Sequence, residues 1–120
     1  MAQPGLITVR RHRAGHLEGH ARPGSGRHGV ILASFLQSDV QGDVGAAREL
    51  LSEIGAAERG EAPQPAEIGN AYSIAISPDG VTIRNAVIKD SRPEHYGFGE
   101  LRQALETWIA AIEHARRQPG

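Results

Sequence analysis

The chain has 120 residues, which is enough for one domain with its own core and too short for two. It contains no cysteine, which excludes disulfides and cysteine-based zinc or iron–sulfur sites and suits a reducing cytoplasm. Residues 1–38 hold five arginines and one glutamate, whereas residues 39–113 hold 13 acidic and six basic side chains. The sequence therefore combines a basic, histidine-rich head with an acidic body.

These features predict one soluble, cytoplasmic domain that spans residues 1–120. The N-terminus develops no apolar stretch of the kind that a signal peptide has. The longest strongly apolar run, residues 30–33, is far too short to cross a bilayer. Within the domain, we expect residues 1–27 to be a partly flexible hairpin region, the basic head, and residues 28–117 to be the compact core.

The N-terminal third is predicted to be extended. Residues 6–9 are β-branched and apolar, which favours an edge strand, and residues 17–21 form a weaker candidate for a second strand. Residues 22–26 are rich in glycine and proline and predict a turn. The β-branched and aromatic side chains of residues 28–36 then predict a buried strand.

A helix is predicted over residues 38–59. Ser38 and Gln41 have the spacing of a capping box, in which each side chain satisfies a free backbone N–H of the first turn. Its expected core stripe recurs every three or four positions and consists of Val40, Val44, Ala47, Leu51 and Ile54. Gly42 and Gly45 each cost a helix about 1 kcal/mol relative to alanine, so this helix depends on tertiary packing.

The clearest local signal is a hairpin. Residues 71–76 and 81–88 are β-branched runs that flank a Pro-Asp-Gly turn, and a polar connector at residues 61–69 precedes them. After a loop at residues 89–99, a second helix over residues 99–117 is predicted. Its buried stripe would be Leu101, Leu105, Trp108, Ile109 and Ile112. The order β(β)β-α-β-β-α predicts an α+β fold with one antiparallel sheet of about four or five strands and two helices on one face.

The histidines of the head raise a metal hypothesis. His12, His16 and His20 are spaced by four, which on a helix would place three imidazoles on one face. Glycines between them argue against a helix, a strand would hold them too far apart, and neighbouring arginines disfavour a dication. We therefore predict no metal and no cofactor, and keep these histidines as an alternative.

Nucleic-acid binding and catalysis have weaker support. Residues 10–13 could contact phosphates, but interleaved aromatic side chains are missing and the acidic body would repel a polyanion. The sequence has no phosphate-binding glycine loop, no HExxH motif and no nucleophile elbow. Glu94 and His95, adjacent in a predicted loop, are the best acid–base pair. We predict that the protein is not an enzyme.

The acidic body suggests a protein partner. Asp39 with Asp43, and Glu49 with Glu53, are like-charge pairs at i, i+4, each of which costs a helix a few tenths of a kcal/mol. The helix dipole accounts for acids at the N-terminal end only, and not for the second pair or for Glu58. An uncompensated acidic surface suits a basic partner, so we expect these five residues to contact one.

The order and spacing of several short motifs resemble the YacL-like group of small bacterial proteins, which includes CdiI-type immunity proteins of contact-dependent growth inhibition systems. These motifs are FLQSDVQ at residues 35–41, GNAYSI at 69–74, DGVTI at 79–83 and FGEL at 98–101, followed by Leu105 and Trp108. The resemblance implies a compact α+β protein without enzymatic activity. It also implies that the chain binds the C-terminal toxin domain of a cognate effector, often a nuclease, inside the producing cell.

Two alternatives stay open. A housekeeping protein of the same group would have no toxin partner. A small metal- or nucleic-acid-binding module would instead use the basic, histidine-rich residues 10–28. The oligomeric state is also open, because an edge strand at residues 6–9 could pair with a second copy or remain unpaired.

Overall fold

The computed structural model describes residues 5–61, 71–88 and 90–117. Most of the predicted connector at residues 61–69, the first four residues and the last three lie outside these ranges. Within them the elements are β1 (Ile7–Arg11), β2 (Leu17–Ala21), α1 (Gly26–Phe35), a π-helical turn (Leu36–Val40), α2 (Val44–Glu58), β3 (Tyr72–Ser77), β4 (Gly80–Asn85), β5 (Glu94–Tyr96) and α3 (Phe98–Arg117). No helix in the described part is long and apolar enough to cross a membrane.

The predicted α+β class is confirmed, but the strands form two antiparallel sheets instead of one. β1 pairs with β2, with Ile7 opposite Ala21. The second sheet has the order β3-β4-β5, and the predicted hairpin is its first pair, with Ser77 opposite Gly80 across the turn. β5 comes from the segment that we predicted as a loop, and it pairs with β4 through Tyr96 opposite Val81.

The predicted strand at residues 28–36 is wrong, because this segment is the helix α1. Leu32, Phe35 and Leu36 are fully buried, and their spacing of three and four residues is that of a helix face. Val30, which favoured the strand, is 52% exposed. A short apolar run can be either a buried strand or a short buried helix, and the sequence pattern does not distinguish them. Because this segment is helical, it cannot supply the strand that was expected to belong to a single sheet.

Two glycines allow α1 to lie directly against the first hairpin. A Cβ atom on Gly19 of β2 would stand 2.8 Å from the carbonyl oxygen of Ala33 in α1. A Cβ atom on Gly29 of α1 would stand 2.9 Å from the carbonyl oxygen of Leu6. Real Cβ atoms essentially never approach backbone atoms so closely, so both positions require glycine for this packing. The hairpin is thereby fixed on α1.

The predicted helix over residues 38–59 begins later than expected. α1 continues into the π-helical turn, the chain turns at Gln41 with φ of 54°, and α2 begins at Val44. Asp43 is the N-cap residue, and its carboxylate accepts a hydrogen bond of 3.0 Å from the backbone N–H of Ala46. The capping box was wrong: Ser38 donates to the carbonyl of Ser34 and the Gln41 side chain to that of Ser38.

α2 and α3 pack side by side over the core. The predicted stripe of α3 is confirmed, since all five of its residues are buried, and Trp108 is 1% exposed. The Trp108 indole N–H donates a hydrogen bond of 2.6 Å to the carbonyl of Gln41, which ties α3 to the break between the π-helical turn and α2. In α2, Leu50 is buried where the prediction placed Leu51, which is half-buried.

Candidate functional site

Asp39 and Asp43 serve the fold. The carboxylate of Asp39 accepts backbone hydrogen bonds from Ala71 at 3.2 Å and Tyr72 at 2.9 Å, and so holds the start of β3 against the π-helical turn. Asp43 caps α2, as described above. Because a break in the helix separates them, the two residues do not form a like-charge pair on one helix surface. The like-charge pair predicted for these two residues was wrong, while their contact with a partner stays a prediction.

The acids of α2 itself fall into two sets. Glu58 pairs with Arg102 across the contact between α2 and α3, and Arg48 of α2 pairs with Glu113 of α3 at 3.3 Å. Glu49 and Glu53 have no ion-pair partner among the described residues. They lie one turn apart, Glu49 exposed and Glu53 half-buried. We call these two residues the acidic pair.

The turn between β1 and β2 brings two of the predicted histidines together. His12 lies opposite His16 across the turn, and their rings stack with centroids 4.4 Å apart and planes at 17°. One ligand atom from each and one from Glu18 lie within 4.8 Å of one another. His20 is outside this group. The sequence argument treated a strand as straight, so it missed the reversal that joins His12 to His16 and Glu18.

The hydrogen bonding of His12 does not suit a metal ion. Its Nδ1 atom accepts a hydrogen bond of 3.0 Å from the backbone N–H of Ala14. A neutral imidazole that accepts at Nδ1 carries its proton on Nε2 and offers a donor there instead of a lone pair. Coordination through Nδ1 would require His12 to give up this bond, and coordination through Nε2 would require a change of tautomer. The turn as it stands presents a hydrogen-bond donor, which suits an anion.

An open pocket of about 570 Å³ lies beside this turn, between the first hairpin, the segment that joins the π-helical turn to α2, and the C-terminal half of α3. We call it the basic pocket. Its apolar lining residues are Leu17, Trp108, Ile112 and Ala115. Its polar lining residues are Arg11, His16, Gln37, Gln41 and Arg116, with Gly15 and Gly42 between them. No acidic side chain stands among these lining residues.

Hydrogen bonds to uncharged partners hold two polar side chains of the basic pocket, those of Gln37 and Arg116. Gln37 accepts a hydrogen bond of 2.9 Å from the backbone N–H of Gly19, which fixes its side-chain amide. Arg116 donates to the carbonyl of Gly42 at 3.2 Å, a neutral partner that leaves the positive charge uncompensated. Arg11 has no ion-pair partner in the described part of the chain. Arg11 of β1 and Arg116 of α3 thus both line the pocket.

A second charged group, which we call the His28 cluster, has its charges paired. The ring nitrogens of His28 lie 3.0 Å from a carboxylate oxygen of Glu94 and 3.1 Å from one of Glu100. Arg27 also contacts Glu94 and donates to the carbonyl of Arg92 at 2.7 Å. Both ring nitrogens of His28 thus face a carboxylate, one from β5 and one from α3.

The His28 cluster connects α1 to β5 and α3. The hydrogen bond from His28 lowers the pKa of Glu94 below its usual value of 4.5, helped by the charge of Arg27 and opposed by burial. The hydroxyl of Tyr96, which packs against the His28 ring, donates to the His28 carbonyl at 2.7 Å. Burial raises the pKa of Tyr96 far above its usual range. No local sequence pattern indicated this cluster, because His28 is 66 positions from Glu94 and 72 from Glu100.

Glu94 and His95 do not work together. As neighbours on a strand they point to opposite sides, so that Glu94 joins the His28 cluster and His95 lies 2.9 Å from the hydroxyl of Thr82. Their side chains therefore do not form the acid–base pair that we considered for a catalytic role. Neither His28 nor its two carboxylates line the basic pocket.

Comparison with known proteins finds no matching family model, no matching curated protein and no matching solved structure. The resemblance to the YacL-like group accordingly stays a prediction that rests on the motifs themselves.

Proposed function

We propose that this chain is a non-enzymatic binding protein that neutralises a basic toxin domain, in the manner of the immunity proteins that it resembles. The observation that carries the proposal is the acidic pair. Glu58 and Glu113 have basic partners. Glu49, Glu53 and Glu106 have none in the described residues, and of these only Glu49 and Glu53 lie one helical turn apart. A like-charge pair at i, i+4 costs the free protein a few tenths of a kcal/mol, a cost that a basic partner would remove.

The expected action of the acidic pair is electrostatic. Complementary charge speeds the encounter of two proteins and disfavours partners of the wrong sign, and salt weakens both effects. A nuclease domain carries a basic surface for its own substrate, so an acidic inhibitor surface matches it. Of the five residues of the predicted interface, Glu49 and Glu53 have no ion-pair partner in the described residues. The other three, Asp39, Asp43 and Glu58, make hydrogen bonds or an ion pair within the fold.

Partner identification comes first. The protein is used as bait in cells of its native host that express a large secreted effector, and the captured proteins are identified by mass spectrometry. We expect the C-terminal domain of that effector at near-equal stoichiometry, and inhibition of its activity by the purified protein. A recovered domain that keeps full activity in the presence of excess protein would overturn the proposal, as would no recovery.

Charge reversal then tests the surface. Glu49→Lys with Glu53→Lys should weaken binding to that domain about tenfold or more at low salt, mainly through the association rate, as charged interface residues do. Glu106→Lys is the matched control, since Glu106 is an exposed acid on α3. It should change the affinity by less than about twofold, in keeping with a charge outside the interface. A similar loss in Glu106→Lys, or no loss in the variant with both Glu49→Lys and Glu53→Lys, would discard the acidic pair as the contact surface.

A further inference from the structure

A binding site for a small ligand follows from the basic pocket and is independent of the acidic pair. We propose that this pocket binds a small organic anion, with its carboxylate or phosphate between Arg11 and Arg116 and a flat apolar body against Leu17 and Ile112. The volume of about 570 Å³ lies within the range of about 300–1,000 Å³ that is usual for small-molecule sites. Such sites combine a mostly apolar lining with a few polar groups that converge.

The charge of the site selects an anion. Arg11 and Arg116 come from different elements, and no carboxylate is among the lining residues. Glu18, which has a ligand atom within 4.8 Å of one of His16, lies outside the lining. Elsewhere in the chain, Arg27, Arg48 and Arg102 each contact a glutamate. A guanidinium presents paired N–H donors that match the two oxygens of a carboxylate or phosphate. Arg11 and Arg116 therefore lack, among the described residues, the glutamate partner that those three arginines have.

The polar neighbours of the two arginines also suit an anion. Gln37 uses its side-chain oxygen to accept from Gly19, so the group that it can offer a ligand is its amide N–H₂. His16, stacked on His12, lies at the same edge of the pocket. No negatively charged side chain is among the lining residues that supply these donors. An anionic end group thus finds several donors among the lining residues.

The apolar part of the pocket favours a small molecule over a nucleic-acid strand. Leu17, Ile112 and Ala115 supply aliphatic surface, and Trp108 lies beneath them with 1% of its area exposed. Proteins that bind single strands stack successive bases on open aromatic faces. Trp108 offers no such face, and the other ring of the lining, that of His16, is stacked on His12. The site therefore fits one apolar body with one charged end.

The chain contains a single tryptophan, and it lies in this pocket, so its indole N–H resonance reports on occupancy. We would titrate the ¹⁵N-labelled protein with 2-naphthoate, and with neutral 2-naphthamide as the matched probe. Naphthoate should produce a saturable shift of the Trp108 indole and Gly42 amide resonances, with an affinity at least about tenfold above that of naphthamide, as hydrogen bonds to charged groups imply. Equal affinities for the two probes would overturn the proposal.

Substitutions place the anion. Arg11→Gln and Arg116→Gln should each weaken naphthoate binding about tenfold and leave naphthamide binding unchanged, since each removes a charge-assisted contact. Arg22→Gln removes the same charge from an exposed residue of the head outside the pocket, and should leave both unchanged. Arg116→Lys retains the positive charge. A loss of naphthoate binding in Arg116→Gln that Arg116→Lys does not share is therefore due to the charge and not to the lost Gly42 contact. Equal losses in Arg11→Gln and Arg22→Gln would refute the assignment.

The alternative occupants have their own outcomes. A six-nucleotide uridine RNA that shifts the same resonances more strongly than naphthoate, with steep salt dependence, would show a nucleic-acid site and overturn the small-ligand proposal. Zinc that shifts the His12 and His16 resonances and strengthens naphthoate binding would overturn the tautomer argument for the turn. We expect neither: the RNA should bind no better than inorganic phosphate, and zinc should leave naphthoate binding unchanged.

Discussion

The His28 cluster and the basic pocket each contain two or more basic side chains, yet they treat positive charge in opposite ways. In the His28 cluster, Arg27 and His28 lie against Glu94 and Glu100, so that charge holds one helix to another part of the fold. In the basic pocket, Arg11 and Arg116 face apolar side chains and no acid. The first arrangement stabilises the protein, and the second leaves charge available to a ligand.

The acidic residues divide in the same way. Asp39 and Asp43 accept backbone hydrogen bonds at the start of β3 and of α2, whereas the acidic pair on α2 has no described partner. Charge alone therefore does not identify a functional surface in this chain. A charged residue is a candidate for binding when the fold leaves it without a partner, and the following substitutions test that distinction.

Glu94→Gln should have the largest effect, because it removes the charge that faces both Arg27 and His28. We expect the free energy of unfolding to fall by about 2 kcal/mol, as for loss of a hydrogen bond to a charged group at a half-buried site. Urea denaturation at pH 7 measures it. Glu106→Gln, on an exposed residue, should change stability by less than about 0.5 kcal/mol. Similar losses for both variants would mean that the His28 cluster contributes nothing beyond surface charge.

Asp43→Ala should destabilise the protein by about 1 kcal/mol, because it removes the N-cap of α2 and leaves the Ala46 N–H without its acceptor. Glu49→Ala, the matched substitution in the acidic pair, should change stability by no more than a few tenths of a kcal/mol, and in the direction of a gain. Thermal denaturation of the two variants side by side gives the comparison. A loss of 1 kcal/mol in Glu49→Ala would assign this residue a role in the fold.

The stability should also depend on pH through Glu94. Its pKa in the folded protein is lower than the usual 4.5, so its contribution is present above pH 4.5 and is lost as pH falls through the folded value. The loss should be smaller than that caused by Glu94→Gln, because some other contacts of the cluster persist when Glu94 is protonated. Between pH 6 and pH 3, Glu94→Gln should lose less stability than the unchanged protein. Parallel pH profiles of the two proteins would show that Glu94 does not have a lowered pKa in the folded protein.

The sequence predicted the elements whose signals are local. The hairpin of β3 and β4 has its own turn residues, and α3 has a regular apolar stripe, so both were found. The strand predicted in place of α1 failed because Val30 and Ile31 favour a strand locally, while the packing of Leu32 and Phe35 against other elements favours a helix. Secondary structure that depends on tertiary contacts is not visible in a short apolar run.

The candidate sites show the same division. The charges of Glu49 and Glu53 could be identified from spacing, but their lack of partners could not, because Arg102 and Glu113 come from another helix. The basic pocket was missed because Arg11 and Arg116 are separated by most of the chain and meet only where the hairpin lies near the end of α3. Long-range proximity of this kind leaves no pattern in a single sequence.

Arg11→Gln should have the smallest effect on stability, within about 0.5 kcal/mol, because the residue is exposed and has no ion-pair partner among the described residues. Arg27→Gln makes the same change in the His28 cluster and should cost about 1 kcal/mol, since it leaves Glu94 with one cation fewer and the Arg92 carbonyl without its donor. Urea denaturation of both variants at low salt provides the measurement. If Arg11→Gln destabilised the protein as much as Arg27→Gln, Arg11 would be part of the fold, and its charge would not be free to bind an anion.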